Sequence, residues 1–113
     1  MKKILTVLFG SVISISAFAS GNIDAGKALA DKYSCAACHG KDFNTPIDPS
    51  YPKLAGQHKD YLGHALTAYK RGDGANGRNN AIMTGQVKPL SNQDILDLAA
   101  FLHSLPSSLV IHR

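Results

Sequence analysis

Cys35-Ala36-Ala37-Cys38-His39 is the stretch on which the rest of the chain depends. Two cysteines separated by two residues and followed at once by histidine form the attachment pattern of c-type haem, in which each thiol adds to a porphyrin vinyl group and the imidazole reaches the iron. The spacing follows from helix geometry: thiols about one turn apart straddle one porphyrin edge, and the next side chain then lies beneath the metal. Three other readings of these residues are weaker. A dithiol redox site belongs near a strand–helix unit, and no part of this chain alternates like a strand. A structural zinc site needs further ligands, usually a second close pair, and there is no third cysteine. A disulfide across two intervening residues closes too small a loop to stabilise much.

The start of the chain reads as an export signal. Lys2 and Lys3 give a positive end, Ile4 to Ile15 an apolar run, and Ala17-Phe18-Ala19 small residues suited to cleavage after Ala19. The run is short for a bilayer span, so the expected segments are 1–19, a cleaved signal peptide, and 20–113, one domain in the periplasm. No cysteine follows the cut to take a lipid. Export also suits covalent haem attachment, and so accounts for two cysteines that need not form a disulfide.

The whole chain has 113 residues and a formal charge of +4. Loss of Lys2 and Lys3 lowers that charge, and the remaining basic residues form no run, so nucleic acid is not expected as a partner. The 94 residues of 20–113 would bury only about 60–65% of their unfolded surface, which makes a marginal core. A covalently held haem would supply the missing apolar centre, and the apoprotein is expected to fold poorly.

Helical periodicity marks three segments. The first runs from about Asn22 to Ser34, with Asn22 as cap and with Gly26 either weakening it or, as favoured, letting another helix cross closely. The second runs from Lys59 to Arg71 and ends at Gly72. Tyr61, Leu62, Ala65, Leu66 and Tyr69 form its apolar stripe, whose tyrosines suit either the core or a haem propionate. The third begins at a capping box of Ser91 and Asp94 and stops at Pro106, with Ile95, Leu98, Ala99, Leu102 and Leu105 on one face and Gln93, Asp97, Ala100 and Ser104 on the other. Phe101 or Leu102 is expected over Gly26.

Between the helices lie two loops. Residues 40–57 carry Pro46, Pro49 and Pro52, and a carbonyl in this stiff backbone is expected to accept the second ring N–H of His39. Residues 72–89 read as an irregular loop rich in Gly and Asn, containing Met83, the one methionine beyond the signal. A thioether is the usual second axial ligand of an electron-carrying haem, and amides of Asn79 and Asn80 could orient the sulfur. Met83 could instead plug a gap in the pocket. His58, His64, His103 and His112 compete for the same position, and an open site is a further possibility. The tail carries Leu109, Val110 and Ile111, with no firm role.

Tyr51-Pro52-Lys53-Leu54-Ala55-Gly56-Gln57, Tyr69-Lys70-Arg71-Gly72, Ala81-Ile82-Met83 and Leu90-Ser91-Asn92-Gln93-Asp94-Ile95 follow the haem box in order. With it, they resemble the small periplasmic class I cytochromes c of bacteria, including single-haem carriers and the halves of di-haem ones. The resemblance implies an all-α cytochrome c fold of three to four helices around one haem c, held through Cys35 and Cys38. It implies His39 and Met83 as iron ligands, the Pro52 carbonyl as acceptor for the His39 imidazole, and crossing of the first and last helices at Gly26.

The expected function is one-electron transfer in the periplasm rather than catalysis, since no nucleophile–base pair or paired carboxylates appear. Expected partners are redox proteins, either a membrane oxidase or reductase or a periplasmic dehydrogenase, with the chain a monomer or weak dimer. Lys53, Lys59 and Lys88 are expected around the exposed haem edge. Two alternatives stand beside this reading. One is the haem subunit of a periplasmic oxidoreductase such as a flavocytochrome c sulfide dehydrogenase. The other is a haem sensor with an open sixth site.

Overall fold

The structure is a computed structural model that describes Ile4, residues 6–11 and residues 20–108. The expected signal residues Lys2, Lys3 and Ala17-Phe18-Ala19, and the tail residues Leu109, Val110, Ile111 and His112, lie outside the described residues.

Asn22 opens the first helix, α1 (Ile23–Lys32), by accepting the Ala25 backbone N–H on its side chain at 2.8 Å. The helix ends two residues short of the expected Ser34, because Ser34 takes a left-handed conformation with φ 52° that no continuing helix permits. The chain turns there and enters α2 (Ala36–His39), a single turn capped by Cys35 and closed by Gly40. Gly40 has φ 89°, and a Cβ on it would collide with the Thr45 carbonyl.

Residues 40–58 form the proline-stiffened loop. Phe43 pins it to the core: its ring packs edge-on against Phe101 with centroids 5.8 Å apart. Its carbonyl accepts the N–H groups of Leu54 and Ala55. The next helix, α3 (Lys59–Arg71), has the bounds that its apolar stripe and Gly72 predict.

The 72–89 segment departs from expectation. Only 72–80 is loop, and Ala81–Val87 forms a helix, α4. Thr84 and Gly85 blur its periodicity, while tertiary packing supplies what propensity lacks: Val87 is 2% exposed, and Asn80 caps the first turn. Helix α5 (Asn92–Ser104) starts at the complete Ser91/Asp94 capping box. Four helices of seven residues or more, and the single turn α2, thus make up an all-α fold among the described residues.

Helix α1 crosses α5, and α3 packs on both α5 and α4. The α1/α5 crossing is close because residue 26 has no side chain. A Cβ there would strike the Asp97 carbonyl and lie 2.7 Å from Phe101 Cβ, so Phe101 is the residue over Gly26. Asp97 and Ala100 do not belong to a solvent face as the periodicity suggests; both are buried. The Asp97 carboxylate is compensated by two donors, the Asn22 backbone N–H at 2.8 Å and Gln93 Nε2 at 2.9 Å.

Candidate haem site

Helix α2 puts the two thiols one turn apart. The Cys38 and His39 N–H groups both point back to the Cys35 carbonyl, at 3.3 and 3.1 Å. Both cysteines are half-buried and unbridged. Burial pushes the Cys35 thiol above its ordinary pKa, because the charged thiolate would lose hydration.

His39 is 6% exposed. Its Nδ1–H donates to the Pro52 carbonyl at 2.9 Å, which fixes the ring and leaves Nε2 as the nitrogen able to bind a metal. The ring also lies 6.5 Å from that of Tyr51, centroid to centroid.

Two adjoining hollows share His39, Leu54, Leu66, Met83 and Leu102 as walls. The smaller, about 70 Å³, is closed by Ala30, Tyr33, Cys35, Cys38 and Leu98 and is apolar apart from the cysteine end. The larger, about 340 Å³, extends from the shared walls to a polar rim of Ser50, Lys53, Gln57, Tyr61 and Arg78. A flat apolar body with one reactive edge and one charged edge fits such a cleft. Thiols stand at one end, apolar side chains in the middle and cationic or hydroxyl groups at the other, and an imidazole and a thioether both face the interior.

Met83 lies half-buried on α4 rather than in a loop. Asn80 acts on the backbone of Met83: its Oδ1 accepts the Met83 N–H at 3.0 Å, which defines the first turn of the helix. None of the described competing histidines lines the cleft. His58 caps α3, His64 lines a separate hollow with Lys59, Asp60 and Leu96, and His103 Nδ1 is bonded to the Gln57 carbonyl at 2.8 Å. Of the three lysines expected at the edge, Lys53 lines the cleft, whereas Lys59 lines that separate hollow and Lys88 follows α4 on the surface.

The structure adds residues that sequence reasoning passed over. Arg78 stacks on Tyr61 and Tyr69 at the cleft rim, so the tyrosines hold a cation rather than simply filling the core. Those hydroxyls hold the Arg78 guanidinium pKa above its ordinary value. Gln86, one turn after Met83, lines the cysteine end. The Gly-rich context of Arg78 gave no periodic signal to find it.

Comparison with known proteins agrees with this geometry. The family model for cytochrome c matches residues 23–106. Cytochrome c4 of Stutzerimonas stutzeri is 41% identical over 115 residues, covering 96% of this chain and 53% of the relative. A thiosulfate dehydrogenase electron acceptor of Thiomonas intermedia is 41% identical over 75 residues, 66% of this chain and 33% of that protein. The crystal structure of reduced recombinant cytochrome c4 from Pseudomonas stutzeri superposes with a TM-score of 0.70 at 40% identity, over 79% of this chain and 48% of that one. The chain thus spans about half the length of these cytochrome c4 relatives. With a matching family model over most of its described helices and a Cys-x-x-Cys-His turn at the closed end of an apolar cleft, the chain belongs to the cytochrome c family, as a class I member resembling one half of a cytochrome c4 and holding one covalent c-type haem.

Proposed function

We propose that the protein is a single-haem electron carrier whose iron is ligated by His39 and Met83. The observation that carries this reading is that an oriented imidazole and a thioether line one cleft, while every other described histidine lies outside it.

When bound, the haem supplies an iron that accepts and returns one electron. Cys35 and Cys38 would hold its edge through thioether bonds. His39 would present Nε2, its ring oriented by the Pro52 carbonyl. Met83 would close the opposite side, and the apolar walls Leu54, Leu66, Leu98 and Leu102 exclude water. Lys53 and Gln57 at the rim suit the carboxylates of the porphyrin. If His39 and Met83 both hold the iron, no site would be left for a substrate, which favours a carrier over an enzyme or a gas sensor.

Redox proteins of the periplasm are the proposed partners. A relative named as the electron acceptor of thiosulfate dehydrogenase supports electron uptake from a dehydrogenase. Among the described residues no helix is long and apolar enough to cross a membrane. We place the protein in the periplasm, on the strength of the positive end, apolar run and small-residue cut before Ser20. Amino-terminal sequencing of the exported protein is then expected to begin at Ser20.

An optical potentiometric titration tests the carrier reading. A single reversible one-electron wave, unmoved by saturating carbon monoxide, is the expected result. A wave that shifts upward under carbon monoxide would show an open sixth site and favour the sensor.

A further inference from the structure

We infer that Arg78, clamped between Tyr61 and Tyr69, is a positioning residue that keeps Met83 in the cleft. The inference rests on the assignment of Met83 as ligand. Its support is the path of the chain between the two residues.

Met83 sits in the first turn of α4, a helix of seven residues. A helix so short is not stable alone in water, so its place must come from anchors at its two ends. The anchor after Met83 is Val87, in the core at 2% exposure. The segment before it, residues 72–80, holds Gly72, Gly74 and Gly77 and would be loose by composition.

Arg78 fixes that segment twice. Its backbone N–H donates to the Ala68 carbonyl of α3 at 2.9 Å. Its guanidinium lies 5.6 Å from the Tyr61 ring centroid and 5.4 Å from that of Tyr69, and Nη2 donates to Tyr61 Oη at 3.2 Å. The two tyrosines are eight residues apart on α3, about two turns, and so present their rings on one face. Both aromatic faces and the Tyr61 hydroxyl thus hold the guanidinium at the rim. Two residues on, Asn80 caps α4 through the Met83 N–H at 3.0 Å. From α3 through Arg78 and Asn80 to Met83, each link is thus a defined contact. Arg78, Tyr61, Tyr69 and Met83 also line the same hollow.

At an exposed site each cation–π contact is worth about a 2- to 5-fold shift in an equilibrium. Loss of both should raise the fraction of molecules with the thioether off the iron by about 5- to 30-fold. The test uses the haem-loaded, full-length protein. It reads the weak red sulfur-to-iron charge-transfer band of the oxidised form and the rate of carbon monoxide binding to the reduced form, in Arg78→Ala, Tyr69→Leu, Tyr69→Phe and Met83→Ala. The expected result for Arg78→Ala is carbon monoxide binding about 5- to 30-fold faster with a weakened red band. Tyr69→Leu, which leaves the charge in place, should be faster by about 2- to 5-fold, and Tyr69→Phe, which keeps the ring face and loses only the hydroxyl, should fall between Tyr69→Leu and the parent.

Ile95→Val, buried in α5 away from the cleft, serves as a control of general destabilisation. The clamp is overturned if Arg78→Ala behaves as the parent while Met83→Ala loses the band. It is also overturned if Tyr69→Leu has no effect, since Arg78 would then act by charge alone, or if Ile95→Val opens the site equally. If Met83→Ala keeps the band, the ligand assignment itself has failed, and the clamp falls with it.

Discussion

Asp97 shows how much one buried side chain can decide. Its carboxylate, 7% exposed, takes the Asn22 backbone N–H at the start of α1 and the amide of Gln93 on its own helix. Asp97→Ala strands the Asn22 donor and should cost about 1–3 kcal/mol in urea unfolding of the haem-loaded protein, whereas Asp97→Asn, which keeps an acceptor, should recover most of it. The periodicity of α5 gave no hint of this, because Asp97 falls among Gln93 and Ser104 on the face that reads as polar. The hydrogen-bond partner of His39 was legible in part: a loop with Pro46, Pro49 and Pro52 pointed to a backbone acceptor. The structure shows that bond at 2.9 Å to Pro52, the residue that family resemblance named.

At the scale of elements, legibility followed the strength of local signals. Helix α3 was readable to the residue because an apolar stripe ends at a glycine, and α5 because Ser91 and Asp94 form a complete capping box. Helix α4 was not, since a seven-residue helix containing Thr84 and Gly85 depends on what it packs against. The α1/α5 crossing was legible in part: Gly26 suited either a weakened helix or a close crossing, and the apolar face of α5 together with the family resemblance gave its partner. Gly26→Ala should destabilise the protein by at least about 1–3 kcal/mol in thermal melts, because the new methyl meets the rigid Asp97 carbonyl rather than a side chain that can turn away.

The loop after α2 carries a pH dependence. Hydrogen bonds from the Asn44 N–H, and from the hydroxyl and N–H of Thr45, hold the Asp42 carboxyl below its ordinary pKa. A depressed pKa in the fold means a contribution that is present above the unfolded value near 4 and is lost as pH falls through the folded one. Acid melts of Asp42→Asn should therefore show a shallower loss of stability below about pH 4 than the parent.

For the whole molecule, haem would form part of the core. Leu54, Leu66, Leu98 and Leu102 line the cleft as well as joining the core, so removing the group leaves an apolar hollow in a small domain. The Cys35→Ser/Cys38→Ser double variant, produced without covalent haem, should show reduced helical circular dichroism and no cooperative melt. A sharp transition near that of the parent would show that the helices stand alone. The central claim, that a single haem iron is held between His39 and Met83, is tested most directly by X-ray absorption at the iron edge of the purified protein in both oxidation states. One sulfur and five nitrogen neighbours are expected in each state. A first shell without sulfur would contradict it and return the sixth position to a histidine or to solvent.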